Sequence, residues 1–266
     1  MANNNLPAYL NNPTISERLI ELVGDKEAAK VKSVLLNIWN NNELLQKCDP
    51  RSIMGAAGLA LSTNLSITPS LGQAYIVPYR GKAQFQVGVR GLIQLAHRTG
   101  KYVALHAGAV HEGEFKGFDP FTGRPVRGER TSDTVVGYVA YMQLVNGFEK
   151  WVYMTVAELE AHAEKYSQSY AYDKRNGKSS SPWSTNFDAM AQKTVLKRLL
   201  NNWGVLSADM AEAIRGDQAV VDKSTFTYVD NRGDVQRRDD LYVEDVPFVE
   251  TTGEVVAEPL NVETQA

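Results

Sequence analysis

Ala83-Gln84-Phe85-Gln86-Val87-Gly88-Val89-Arg90-Gly91-Leu92-Ile93-Gln94-Leu95-Ala96-His97-Arg98-Thr99-Gly100 is the stretch in which this 266-residue chain changes period. Ala83, Phe85, Val87 and Val89 alternate with Gln84, Gln86 and Gly88, the two-residue repeat of a half-buried strand. From Gly91 the repeat becomes helical, with Leu92, Leu95 and Ala96 inward and Thr99-Gly100 as the stop. Arg90, Gln94 and Arg98 fall at i, i+4 and i+8, so the helix carries a polar stripe on one side. Before this stretch, Gln73 to Tyr79 reads as a partner strand, joined through Arg80-Gly81-Lys82 as a short hairpin with two cations at its tip. Pro78 favours an edge position because it has no N–H to donate.

Toward the N-terminus the period is helical. Thr14 and Glu17, after Pro13, have capping-box spacing, and Ile15, Leu19, Ile20 and Val23 supply an apolar face. Gly24-Asp25 stops and restarts the helix, and Val31, Val34, Leu35 and Ile38 share one side of the next, about Lys26 to Asn40. Asp49 as cap and Pro50 in the first turn open a third helix to about Asn64. Its middle, Gly55-Ala56-Ala57-Gly58-Leu59-Ala60, permits close backbone approach, either inside one monomer or at a subunit contact.

Toward the C-terminus, a Gly- and Pro-containing stretch from Glu112 to Asp133 precedes an alternating run, Thr134 to Val145. Asn146-Gly147 signals a hairpin, and Phe148 to Met154 returns. Thr155 and Glu158 repeat the capping-box spacing and open a helix to about Tyr166. Residues 167–182, including Lys174-Arg175-Asn176-Gly177-Lys178, read as a mobile basic loop. A last helix, about Ser184 to Trp203, puts Leu196, Leu199, Leu200 and Trp203 on one face and Lys193, Lys197 and Asn201 on another. The expected fold class is α+β: antiparallel sheet and hairpins packed with helices in a single core domain, followed by a disordered acidic tail.

Charge is segregated along this frame. Residues 50–111 contain no acid, although at the chain-wide rate of 31 in 266 these 62 positions would hold about seven. Arg51, Arg80, Lys82, Arg90, Arg98 and Lys101 lie in that block, and Asp188 is the one acid in residues 174–208. The formal net charge of −3 is a cancellation: residues 71–200 carry 17 basic and 11 acidic groups, residues 201–266 carry 5 and 14. An excluded negative sign points to a phosphate backbone as partner. The acidic segment from 216 reads as largely disordered, since few apolar groups and high like charge cannot offset ordering entropy. It is a solubilising tail, a docking segment or an internal mimic of DNA charge.

Catalytic and metal motifs are not recognisable. Gly177-Lys178-Ser179 resembles the end of a phosphate-binding loop, but Tyr172 stands where its first Gly belongs. His106, His111, Glu112 and Glu114 match no zinc spacing, and the one cysteine, Cys48, excludes an intramolecular disulfide framework. A metal-dependent nuclease needs carboxylates near the scissile phosphate, which the acid-free block does not supply. The N-terminus lacks a signal pattern, and no run approaches the roughly 18 apolar residues of a membrane span. A cytoplasmic protein is expected. What remains is binding, with cations tracking phosphates and flat or amide side chains meeting bases. Tyr75, Tyr79, Trp183, Gln86 and Gln94 are candidates for the second role, core packing being the alternative for each aromatic.

Three ordered blocks resemble the RecT-type phage single-strand annealing proteins. They are Leu71-Gly72-Gln73-Ala74-Tyr75-Ile76-Val77-Pro78-Tyr79, then Gly88-Val89-Arg90-Gly91 through Gly100, then Pro182-Trp183 with Met190-Ala191-Gln192-Lys193-Thr194 to Lys197-Arg198-Leu199. The resemblance spans about residues 14–215. It implies an ATP-independent recombinase that oligomerises as a ring or helical filament on single-stranded DNA and holds the annealed duplex in a basic groove. A phage exonuclease and host single-strand-binding protein are the implied partners. No cofactor is required, and a role for Mg²⁺ is left open. The DNA-binding set on this reading is Arg80, Lys82, Gln86, Arg90, Gln94, Arg98, Lys101, Lys178, Trp183, Lys193, Lys197 and Arg198. Residues 1–215 form the binding and oligomerisation core (1–70 helical, 71–215 groove-forming) and 216–266 the acidic tail. Val89 departs from the aromatic that relatives often show there, which removes stacking at that position. A protein that coats DNA without annealing it, and a metal-dependent nuclease, are the rival functions.

Overall fold

The computed structural model describes residues 5–222 and 225–228. It opens with five helices, α1 (Leu6–Leu10), α2 (Pro13–Val23), α3 (Asp25–Asn40), α4 (Glu43–Gln46) and α5 (Pro50–Ser62). Short polar side chains set most of their starts: Asn5, Asn12, Asn42 and Asp49 each accept from a first-turn N–H that has no partner within its helix. The expected Thr14 cap is corrected to Asn12, because Pro13 fits the first helical position, where an N–H is not needed, and draws Thr14 inside the helix. The small residues of α5 pack within the chain. A Cβ on Gly55 would lie 2.0 Å from the Val221 carbonyl oxygen, and Ala56, Ala57 and Ala60 are buried.

Strands β1 (Ala74–Tyr79) and β2 (Lys82–Val87) form the expected antiparallel hairpin and lead into α6 (Val89–Arg98). Arg80 (φ 47°) and Gly81 (φ 76°) make the turn, both in the left-handed conformation that suits a two-residue hairpin loop. Ala74, Ile76, Ala83, Phe85 and Val87 are buried, and α5 is tied to the hairpin through Asp49 N to Gly81 O (2.9 Å) and Ala83 N to Ser52 Oγ (2.8 Å).

A second sheet has the order β3-β6-β7, all antiparallel, from β3 (Tyr102–His111), β6 (Val135–Leu144) and β7 (Glu149–Thr155). Strand β3 has no counterpart among the sequence expectations. Its inward row, Leu105, Ala107 and Ala109, is mostly alanine, which weakens the two-residue signal. Between β3 and β6 a small hairpin, β4 (Phe115–Phe118) and β5 (Pro125–Arg127), occupies the Gly/Pro stretch.

Helix α7 (Val156–Tyr166) begins with the predicted Thr155–Glu158 capping box. The mobile loop expected at 167–182 is corrected: α8 (Gln168–Asn176) and α9 (Pro182–Thr185) fill most of it. The buried Asp173 carboxylate holds the connection by accepting from Ser180 N and Oγ, Ser181 N and Ser184 Oγ at 2.6–2.8 Å. These hydrogen bonds outweigh the cost of burial and hold its carboxyl below the usual range. Gly177 is the left-handed terminator of α8, so the Gly177-Lys178-Ser179 motif ends a helix.

Helix α10 (Phe187–Trp203) joins two core clusters. Leu196 and Leu200 pack with the N-terminal helices, the hairpin and α6; Ala191, Val195 and Leu199 pack with the second sheet and α7. Trp203, expected on the apolar face, is half exposed with Lys150 Nζ 4.2 Å above its ring. The chain continues through α11 (Ala208–Gly216) into β8 (Val220–Asp222) and β9 (Thr225–Thr227). Asp217, Ala219, Val220 and Val221 are buried, so the core extends past the boundary expected at 215. The disorder expected of the tail beyond residue 228 lies outside the described residues. Among the described residues no helix is long and apolar enough to cross a membrane.

Candidate nucleic-acid interface

The hairpin has one apolar face against α5 and one mixed face, and the register fixes the second. Tyr75 lies opposite Gln86, Val77 opposite Gln84 and Tyr79 opposite Lys82. An aromatic side chain thus faces an amide at one end and a cation at the other. Tyr75 is 41% exposed. Gln84 is 1% exposed and its Nε2 donor has no partner among the described residues, an arrangement that costs about 1–3 kcal/mol.

Arg90 comes to the Tyr75 end. A Cβ placed on Gly72 would meet the Tyr75 hydroxyl at 3.1 Å and Arg90 Cδ at 3.4 Å, so both side chains flank that glycine. Gly88 completes the junction: a Cβ there would lie 2.1 Å from Gly72 O, and only glycine lets the two segments cross. Arg90 donates to Ser70 O (3.3 Å) and is in no ion pair among the described residues. No side chain caps the first turn of α6, so its N–H groups add positive potential beside Arg90 and Tyr75.

At the other end, Tyr79 Oη and Arg80 Nη2 both donate to Gln168 Oε1, each at 2.6 Å. A 300 Å³ cavity opens there, lined by Tyr79, Arg80, Gln168, Tyr172 and Arg175 among others. Lys178 Nζ sits 5.3 Å above the Tyr172 ring. Arg80 and Lys178 therefore gather with Arg175 and Tyr172, two residues that sequence reasoning did not select, while exposed Lys82 lies on the strand after the turn and acts on Asp49. Their signal was present in the basic run 174–178, but the reading of that run as a loop hid the helix that aims them.

The remaining expected residues separate. Lys193 and Lys197 on α10 are paired with Asp217, Nζ to Oδ1 at 3.1 Å and Nζ to Oδ2 at 2.6 Å, and Val87 N donates to the same carboxylate at 3.0 Å. Burial disfavours that carboxylate, yet the two ammonium groups win and hold its pKa at about 2. In this fold the two lysines brace the base of the hairpin. Trp183, 4% exposed, stands edge-on to Phe187 at 5.5 Å in the second core, so core packing is its position. Arg98 donates to the carbonyls of Thr63 (3.0 Å) and Asn64 (2.5 Å), capping the C-terminal end of α5. Gln86 and Gln94 are partly exposed, and Lys101 is exposed where α6 passes into β3. Exposed Arg198 lies against Met154 Sδ (3.9 Å) and near Glu158.

His111 Nδ1 lies 3.2 Å from Glu114 Oε2, while His106 is elsewhere along β3. Among the described residues no three His, Cys, Asp or Glu side chains group as a metal site.

Known proteins give this geometry a context. Residues 29–230 match the model of the RecT family. The chain is 42% identical over 211 residues to the uncharacterized protein YqaK of Bacillus subtilis strain 168, covering 79% of this chain and 70% of that protein. It is 26% identical over 230 residues to protein RecT of Escherichia coli strain K12, covering 81% of each. The family's general activity is single-stranded DNA annealing in recombination, which makes and breaks no covalent bond. With its hairpin, following helix and α10 all inside the matched region, this chain belongs to the RecT family.

Proposed function

We propose that the protein binds single-stranded DNA, assembles along it as a ring or filament, and pairs it with a complementary strand without ATP, in phage or prophage recombination in the cytoplasm. The observation that carries this reading is the outer face of the β1–β2 hairpin: Tyr75 and Gln86 beside Arg90 and the uncapped start of α6. A phosphate suits Arg90 and the first-turn N–H groups, and a base or sugar suits the Tyr75 ring. A second contact region is Arg80, Arg175 and Lys178 with Tyr172, about one strand length away, with Lys82 exposed at the hairpin tip. Lys193 and Lys197 support the hairpin from behind through Asp217. Phosphate contacts carry no base code, so sequence preference is weak and the incoming strand is tested by its own pairing.

An exonuclease supplies the single strands in this scheme, and host single-strand-binding protein is displaced from them. No cofactor enters it, and annealing with and without Mg²⁺ tests that point. The deciding experiment measures oligonucleotide binding across salt together with quenched-fluorophore annealing, for the parent and Arg90→Ala. Each phosphate neutralised on a single strand contributes about 0.7 to the log–log salt slope, so the variant is expected to lose about that much and to anneal more slowly. Equal slopes and equal annealing at matched salt would place the interface elsewhere. Binding without accelerated pairing would mark a coating protein, and loss of labelled DNA with Mg²⁺ or Mn²⁺ a nuclease.

A further inference from the structure

The tip of the β1–β2 hairpin aims two donors at one oxygen. Tyr79 Oη and Arg80 Nη2 converge on Gln168 Oε1, each at 2.6 Å, and the guanidinium lies 5.2 Å over the Tyr79 ring. Both partners are donors there, so the amide of Gln168 must present its oxygen. Arg80 occupies this place at φ 47°, a left-handed conformation that a glycine or asparagine adopts with less strain. Its side chain is what that position gains over those residues.

The acceptor fits these donors poorly. Gln168 is neutral and supplies one oxygen, whereas an arginine offers a fork of donors matched to a charged, two-oxygen partner. Among the described residues the Arg80 side chain makes this one hydrogen bond and no ion pair. The adjoining 300 Å³ cavity is cationic on its far side: Arg175 uses only Nε, donating to Ala171 O at 3.2 Å, and Lys178 stands over Tyr172. Glu164, the acid in the lining, is paired with Lys174 at 3.9 Å. Gln168 is also the first residue of α8, which puts the positive end of that helix at the same point.

We infer that Gln168 stands in for a phosphate: its amide oxygen keeps the Tyr79 and Arg80 donors aimed until a phosphate oxygen displaces it. Gln168 thus opposes binding at the hairpin tip and sets the threshold at which a strand is captured there. The ligand is a phosphate group, carried by a phosphodiester or free in solution. This deepens the proposed function and rests on its reading of the hairpin as the DNA surface.

The test titrates the full chain with a labelled oligonucleotide at fixed ionic strength, for the parent, Gln168→Ala, Gln168→Glu, Arg80→Ala and the Arg80→Ala, Gln168→Ala double variant. Removing the competing oxygen is expected to tighten binding about three- to tenfold, the range of a net hydrogen bond. Gln168→Glu, nearly isosteric, holds Arg80 in an ion pair and should bind several-fold more weakly, with a salt slope lower by about 0.7. In the Arg80→Ala background Gln168→Ala should change nothing. Gln168 is partly exposed, so parental melts are expected for both of its variants. A residue that only orients Arg80 for DNA gives the opposite sign: binding by Gln168→Ala no tighter than the parent's, or by Gln168→Glu no weaker, overturns the inference. Thermal melts in inorganic phosphate against chloride at equal ionic strength separate the two sources. A rise in Gln168→Ala that Arg80→Ala lacks shows that the site takes the free anion, and tightened oligonucleotide binding without that rise assigns it to the phosphodiester. If the parent binds no oligonucleotide, the DNA-binding proposal fails, and the inference then stands with the phosphate-dependent rise or falls without it.

Discussion

The β1–β2 hairpin and α10 lie in the two acid-poor stretches of the chain, yet their cations occupy opposite environments. Arg80, Lys82 and Arg90 are exposed and, among the described residues, outside any ion pair, while Lys193 and Lys197 converge on one buried carboxylate. The acid that neutralises α10 is Asp217, 20 and 24 residues later in sequence. A missing charge along the chain is therefore not a missing charge in space. Local sequence describes the hairpin well because its turn and strands are local; it misreads α10, whose electrostatic partner is remote.

The largest way to break this contrast is Asp217→Asn. It strands two ammonium groups in a mostly buried site, and breaking such a pair costs about 3–5 kcal/mol, read as a lower urea midpoint. Acid should act in the same direction. The folded pKa of Asp217 is about 2, below the unfolded carboxylate value, so its stabilisation is complete above about pH 4 and is lost as pH falls through 2. That contribution is on the order of 2 kcal/mol, and the Asn variant should lack it in melts across this range.

On the hairpin the pattern reverses. Tyr75→Ala should weaken single-strand binding by about 1–3 kcal/mol in a fluorescence titration, while folding stability shifts far less than for Asp217→Asn. Equal damage to folding would make Tyr75 a structural residue. The smallest effect is Gln84→Met, which removes the unpartnered Nε2 in a similar volume and should raise stability by about 1 kcal/mol in denaturant melts. A loss of stability would show that Gln84 is satisfied.

The hairpin, α5, α6 and the Asn146-Gly147 turn were legible because periodicity, caps and turn residues act within a few positions. Strand β3 was not, since Ala104, Ala107, Gly108 and Ala109 blur the two-residue alternation that would mark it. The 167–182 segment looked like a loop because the four hydrogen bonds onto Asp173 that order it come from serines, residues typical of loops. In the candidate site, the sequence placed Arg80 and Lys82 at the hairpin tip, where the register puts them, while Arg90 lies at the other end beside Tyr75. Trp183 could not be placed without the Tyr170 and Phe187 rings that enclose it.

The reach of Asp217 also sets an order of events during synthesis. Phe85 N and Gln218 N exchange hydrogen bonds with the opposing carbonyls, and Val87 N waits for the Asp217 carboxylate. Until residues 217–219 leave the ribosome, one edge of β2 stays open and two lysines lack their counterion, although the hairpin itself was made more than a hundred residues earlier. A chain that ended at residue 215 would thus carry both a free strand edge and two lysines without their carboxylate.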